Sequence, residues 1–89
     1  MKFNEKIKVD MYEAMKLEEK ERVIALRNLL AKLKDKEISS GGNLSEKDGM
    51  SVLKTLVKQR KESYSIYEEA GRNDLALKEK TELKIFERY

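Results

Sequence analysis

Apolar residues recur every three or four positions along nearly the whole chain, and strand-like alternation over four or more residues is hard to find. Ile7, Met11, Ala14 and Met15 form the first such series and predict a helix capped by Asn4, with Phe3 just ahead of it as a hydrophobic staple. Val23, Leu26, Leu30 and Leu33, flanked by Ile24, Leu29 and Ala31, form a second. No Gly or Pro separates the two, so breaker residues alone allow one rod from Asn4 to Ile38. The apolar phase argues otherwise. Continued from Met15, the buried stripe would next take Glu18, Glu19 and Arg22, three charges on a face that must be dry. A break or sharp bend is therefore expected near residues 17–20.

Ser39 to Asn43 contains Gly41 and Gly42 and reads as a loop, because adjacent glycines cost the most backbone entropy inside a helix. Ser45 then fits an N-cap, with Glu46 and Asp48 at the positive end of the helix dipole. The third helix should run to Ala70, where Gly71 supplies a left-handed stop and Asn73 or Asp74 a cap for a fourth helix. That helix carries Leu75, Ala76, Leu83 and Phe86 inward. Gly49, in the first turns of the third helix, should cost about 1 kcal/mol relative to Ala. The expected fold is all-α, a compact bundle of four helices at about 4–17, 20–38, 45–70 and 74–88, forming one domain over 1–89.

The third helix has two contrasting faces. Met50, Leu53, Val57, Arg60, Tyr64 and Tyr67 form a seam towards neighbouring helices. Arg60 lies on that seam, where an unpaired guanidinium is costly, so it is expected in a structural ion pair with a carboxylate, or on helix C-terminal carbonyls, of another helix. Tyr64 and Tyr67 could stack on bases, but on this seam they read as packing residues with hydroxyls at the rim. Lys47, Lys54, Lys58 and Lys61 fall on the opposite side with Ser51 and Ser65, and a phosphate backbone could dock there. The same spacing fits a solvated lysine face, the commoner outcome in a chain that is 42% charged, so both readings stay open.

Composition narrows the chemistry. Twenty Lys and Arg against seventeen Asp and Glu leave a net charge of +3, too balanced for the total to identify a partner. Cys and His are absent, which removes disulfides, thiolate nucleophiles, imidazole bases and the usual zinc ligands. No metal or cofactor is expected. Glu18 and Glu19, like Glu68 and Glu69, are sequence neighbours that point in different directions on a helix and read as surface charges. Gly41 and Gly42 lack the Gly-Lys-Ser/Thr that completes a phosphate loop, and Ser39 and Ser40 have no base to activate them. With no long apolar run and no apolar signal region after Met1, a membrane span and secretion are not expected, and the default location is the cytoplasm. Tyr89, the final residue, is expected to fray.

Residues 57–89, VKQRKESYSIYEEAGRNDLALKEKTELKIFERY, resemble the YqeY family, which is related to the C-terminal part of the GatB subunit of tRNA-dependent amidotransferases. The resemblance rests on Lys58-Gln59-Arg60, Glu62-Ser63, Tyr67, Ala70-Gly71-Arg72, Asp74-Leu75-Ala76, Lys78, Glu79 and Glu82 in one register. DMYEAMK at 10–16, ERVIALRNLL at 21–30 and LSEKD at 44–48 resemble the family's earlier helices and loop. It implies the four-helix N-terminal domain of that family, with a break near residues 17–20. The family continues past the position of Tyr89 into a Leu-Pro turn and a second helical domain, which residues 1–89 do not include and which in the amidotransferase is associated with tRNA. A link to glutamine-dependent amidation of aminoacyl-tRNA is implied, while amide transfer resides in other domains, so no catalytic residue carries over.

Three functions follow. One is a non-catalytic tRNA- or RNA-binding accessory domain using Lys47, Lys54, Lys58 and Lys61. The second is a protein-interaction or self-association module whose exposed apolar surface docks on a partner. The third, a component of a carbon–nitrogen ligase with glutamine as amido donor, rests on the resemblance alone.

Overall fold

A computed structural model describes residues 2–89, and these form four helices: α1 (Phe3–Lys16), α2 (Lys20–Ser39), α3 (Glu46–Glu69) and α4 (Asn73–Phe86). Each boundary lies within two residues of its expected position. The differences have local causes. Phe3 is the first residue of α1 and Lys2 its cap, because the Lys2 N–H donates to Glu5 Oε2 at 3.3 Å, so Asn4 lies inside the helix instead of capping it. Arg72, not Asn73 or Asp74, stands before α4. Ser45 does cap α3, its Oγ accepting from the Asp48 N–H at 3.0 Å.

The first three helices end in the same way. The residue after each C-cap is left-handed, and two amides fold back onto carbonyls of the last turn. In α3 the left-handed residue is Gly71, at φ 72°, with the Arg72 N–H donating to the Tyr67 carbonyl at 2.8 Å and the Gly71 N–H to that of Glu68 at 3.1 Å. In α1 the same position holds Glu18, at φ 56°, with the Glu19 N–H donating to the Ala14 carbonyl at 3.0 Å. A side chain there costs about 1–2 kcal/mol of left-handed strain. The turn persists because it resets the helical phase, leaving Glu18 and Glu19 exposed and Arg22 paired with Glu19 at 3.0 Å.

Helix α1 packs along α2 and α3 along α4, and the two pairs meet around Ile7, Ala25, Leu26, Leu29, Leu33, Leu53, Leu56 and Phe86. Extents of 42 × 29 × 18 Å make the bundle flat, so each helix keeps a flank in solvent. Met15 and Ile24, expected to face inward or to flank the core, are therefore about half exposed, at 47% and 46%. Gly49 has a packing reason that the helix pattern hides. A Cβ there would stand 2.9 Å from Phe3 Cδ2, so the helix-propensity gain of Ala is set against displacement of the Phe3 ring.

Tyr89 is tied down, contrary to the fraying expected of a last residue. Its hydroxyl donates to Asp10 Oδ2 at 2.6 Å, its ring meets that of Phe3 edge-on at 6.2 Å, and Lys6 Nζ lies 5.8 Å from its centroid. Burial pushes the phenol from 10.0 up to about 12, the Asp10 carboxylate adding to the effect and Arg22 opposing it. A raised folded-state value means that this tether's stabilisation is complete below the ordinary 10.0 and is lost as pH rises through about 12. Alkaline absorbance titration should show one phenol ionising near 12 in the folded chain, and Tyr89→Phe should remove that step. Persistence of the step in the variant would reassign it.

Candidate nucleic-acid interface

Lys47, Lys54, Lys58 and Lys61 are all exposed on α3, on the side away from buried Gly49, Leu53 and Leu56. From Lys47 to Lys61 the stripe runs roughly 21 Å at 1.5 Å per residue. None of the four enters an ion pair among the described residues, where the pairs involve Arg22, Arg60 and Arg72.

Ser51, one turn from both Lys47 and Lys54, also lines a groove between α2 and α3. Thr55 and Gln59 of α3 share that groove, and Lys32, Lys36 and Asp35 of α2 form its other wall. Packing of α2 against α3 thus adds two lysines, together with hydroxyl and amide groups, to the α3 stripe. Sequence reasoning missed Lys32 and Lys36. Their four-residue spacing on one side of α2 is the only sequence signal for them.

Arg60 faces α4. Its Nη1 donates to Glu79 Oε2 at 3.0 Å and lies 3.3 Å from Glu82 Oε2, with side-chain exposures of 26% for Arg60, 13% for Glu79 and 9% for Glu82. One guanidinium thus answers two carboxylates, and Arg60 Nε and Glu82 Oε2 are left without hydrogen bonds. Burial pushes the Glu82 carboxyl above its usual 4.5 and Glu79 adds to this, while Arg60 and Lys78 oppose it. An acid raised in the folded state contributes stability below 4.5 and loses it as pH rises through the raised value. Glu82→Gln should therefore match or exceed the parent's stability at neutral pH, the two converging as pH falls below 4.5. Thermal melts across pH test this, and a variant weaker than the parent at neutral pH would show that Glu82 stabilises as an anion.

Tyr64 and Tyr67 are half-buried, and the carboxylate of Glu68 pushes the Tyr64 phenol up. Glu18, Glu19, Glu68 and Glu69 are all exposed. No helix among the described residues is long and apolar enough to cross a membrane.

A family model described as Yqey-like protein matches residues 4–89. Among curated proteins, the chain is 34% identical over 84 residues to "Altered inheritance of mitochondria protein 41, mitochondrial" of Vanderwaltozyma polyspora. It is 36% identical to the protein of that name from Kluyveromyces lactis and 31% to that from Saccharomyces cerevisiae strain S288c, again over 84 residues. Each match covers 93% of this chain and 45% of the relative, so the chain spans about half the length of these proteins. These names overturn the cytoplasmic location expected from sequence, since every one of these relatives is named as mitochondrial. Lack of an apolar span or signal region bears on membrane insertion and secretion alone, and a mitochondrial protein needs neither in its folded domain.

Proposed function

Because the chain belongs to the YqeY-like family, we propose that it is a non-catalytic RNA-binding accessory domain whose α3 lysine face holds a phosphate backbone, with tRNA as the RNA. The observation that carries this is the unpaired stripe Lys47, Lys54, Lys58 and Lys61, continuous through Ser51 with a groove whose far wall bears Lys32 and Lys36 beside Asp35. Lysine ammoniums are mobile point charges. They neutralise phosphates without reading bases, so the site positions an RNA and leaves selectivity to the shape of the folded RNA. The choice of tRNA rests on the likeness of residues 57–89 to the amidotransferase-related family.

The test is binding of tRNA by fluorescence anisotropy across a salt series, beside a variant carrying Lys54→Glu, Lys58→Glu and Lys61→Glu with verified helicity. Expected is a Kd of about 1–100 μM at moderate salt, with a log–log salt slope of roughly −2 to −3 for three to four phosphates. The variant should bind about tenfold more weakly or worse, with a shallower slope. Absence of binding by the parent chain at low salt would sink the proposal and leave the lysines as a solvated face.

A further inference from the structure

The groove between α2 and α3 holds more than lysines. Ser51, Thr55 and Gln59 follow one another at four-residue spacing and form one exposed ridge of uncharged polar groups along its α3 wall. At about 100° per residue, this ridge lies between the α3 lysine stripe and the groove floor, which is made by half-buried Val52 and buried Leu56. Lys32 and Lys36 stand across the floor on α2. Cations that can hold phosphates thus flank a row of groups that donate and accept hydrogen bonds without carrying charge.

Asp35 is the exception on the α2 wall. Neither Lys32 nor Lys36 forms an ion pair with it among the described residues, where the pairs involve Arg22, Arg60 and Arg72. Its carboxylate repels phosphates and only accepts hydrogen bonds. The sugar–phosphate backbone of DNA presents acceptors alone and offers such a group nothing. RNA adds one donor per nucleotide, the 2′-hydroxyl, which also accepts. The facing ridge is equipped for that second role. The Thr55 hydroxyl donates to the Ser51 carbonyl at 3.0 Å and keeps its lone pairs, while the Ser51 hydroxyl and the Gln59 amide can both donate.

We infer that Asp35, with Ser51, Thr55 and Gln59 opposite, forms a ribose-reading site that selects RNA over DNA by accepting a hydrogen bond from a 2′-hydroxyl. The inference rests on the proposed RNA-binding role and adds to it the residues that recognise the sugar. A groove of about 480 Å³ admits a ribose, whose carbon face rests on Val52 and Leu56. Lysines on both sides hold the phosphates on either side of that sugar. Asp48 and Glu62, each three residues beyond an end of the ridge, repel phosphates there and keep the seated segment short.

The test compares an RNA hairpin with its 2′-fluoro version, which keeps the A-form without the donor, and with the DNA hairpin of the same sequence. Fluorescence anisotropy at one low salt concentration should show RNA bound about fivefold or more tightly than either, the worth of a hydrogen bond to a charged group. Asp35→Ala, at an exposed helical position that favours Ala, should raise the affinity for DNA and 2′-fluoro RNA without raising that for RNA, bringing the three together. Equal binding of the three by the parent chain would overturn the ribose site and leave the lysine face standing as a phosphate site. An equal rise for all three in Asp35→Ala would overturn it too, by showing that the carboxylate only repels. Absence of binding to any hairpin would overturn both this inference and the RNA-binding role.

Discussion

Phe86→Ala should lower the stability of the chain by about 3–5 kcal/mol, a large share of the roughly 4–13 kcal/mol typical of a domain this size. Phe86 is 1% exposed and is the last residue of α4, where its ring enters the cluster formed by Ile7, Leu26, Leu29, Leu53 and Leu56 of the other three helices. No other side chain of α4 reaches that cluster as a fully buried member, so truncation leaves a cavity where four helices converge. Its loss also loosens the turn in which the Tyr89 N–H donates to the Phe86 carbonyl at 3.1 Å, and with it the tether to Asp10. Thermal denaturation should show a fall in Tm of about 12 °C or more, whereas Phe86→Leu, which keeps most of the volume, should cost under about 1.5 kcal/mol. A shift of only a few degrees for the alanine variant would mean that the four helices do not share this core.

Arg60→Met should cost about 2–3 kcal/mol, below the 3–5 kcal/mol of a fully buried broken pair because the Arg60 side chain keeps partial contact with water. Methionine replaces the stem but leaves Glu79 and Glu82 facing each other without a cation, at 13% and 9% exposure. The effect carries a pH signature. Arg60 pulls the Glu82 carboxyl down against the upward push of burial, so removing it raises that carboxyl further, and the variant should recover stability as pH falls into the glutamate range. Combining Arg60→Met with Glu79→Gln and Glu82→Gln should restore most of the loss, since the penalty is an uncompensated buried charge and not a missing attraction. Chemical denaturation of the single and triple variants at two pH values checks this, and a triple variant as weak as the single one would refute it. With a structural Arg60, tRNA affinity of the folded single variant stays that of the parent. A large drop would make Arg60 a ligand contact.

The number and type of helices are legible in the chain because each depends on neighbours a few residues apart. Ser45 caps α3 through its own first turn, Gly71 stops it through its own backbone, and the phase conflict at Glu18, Glu19 and Arg22 marks the α1–α2 break without any breaker residue. The exposed lysine stripe and the seam position of Arg60 are legible for the same reason, since residues three or four apart on one helix share a face wherever that helix goes. Packing decided the rest. Which side of α1 stays wet at Met15, why a side chain at 49 would meet the Phe3 ring, how Lys32 and Lys36 come to face α3, and how Ile24 and Leu77 meet in one groove all depend on how one helix lies on another. The same holds for Tyr89 and Asp10, 79 residues apart, and for the partners of Arg60 on α4. Helical periodicity describes one helix about its own axis and is silent on the angle and register at which two helices cross, so contacts across the chain emerge only when the shared core sets those angles.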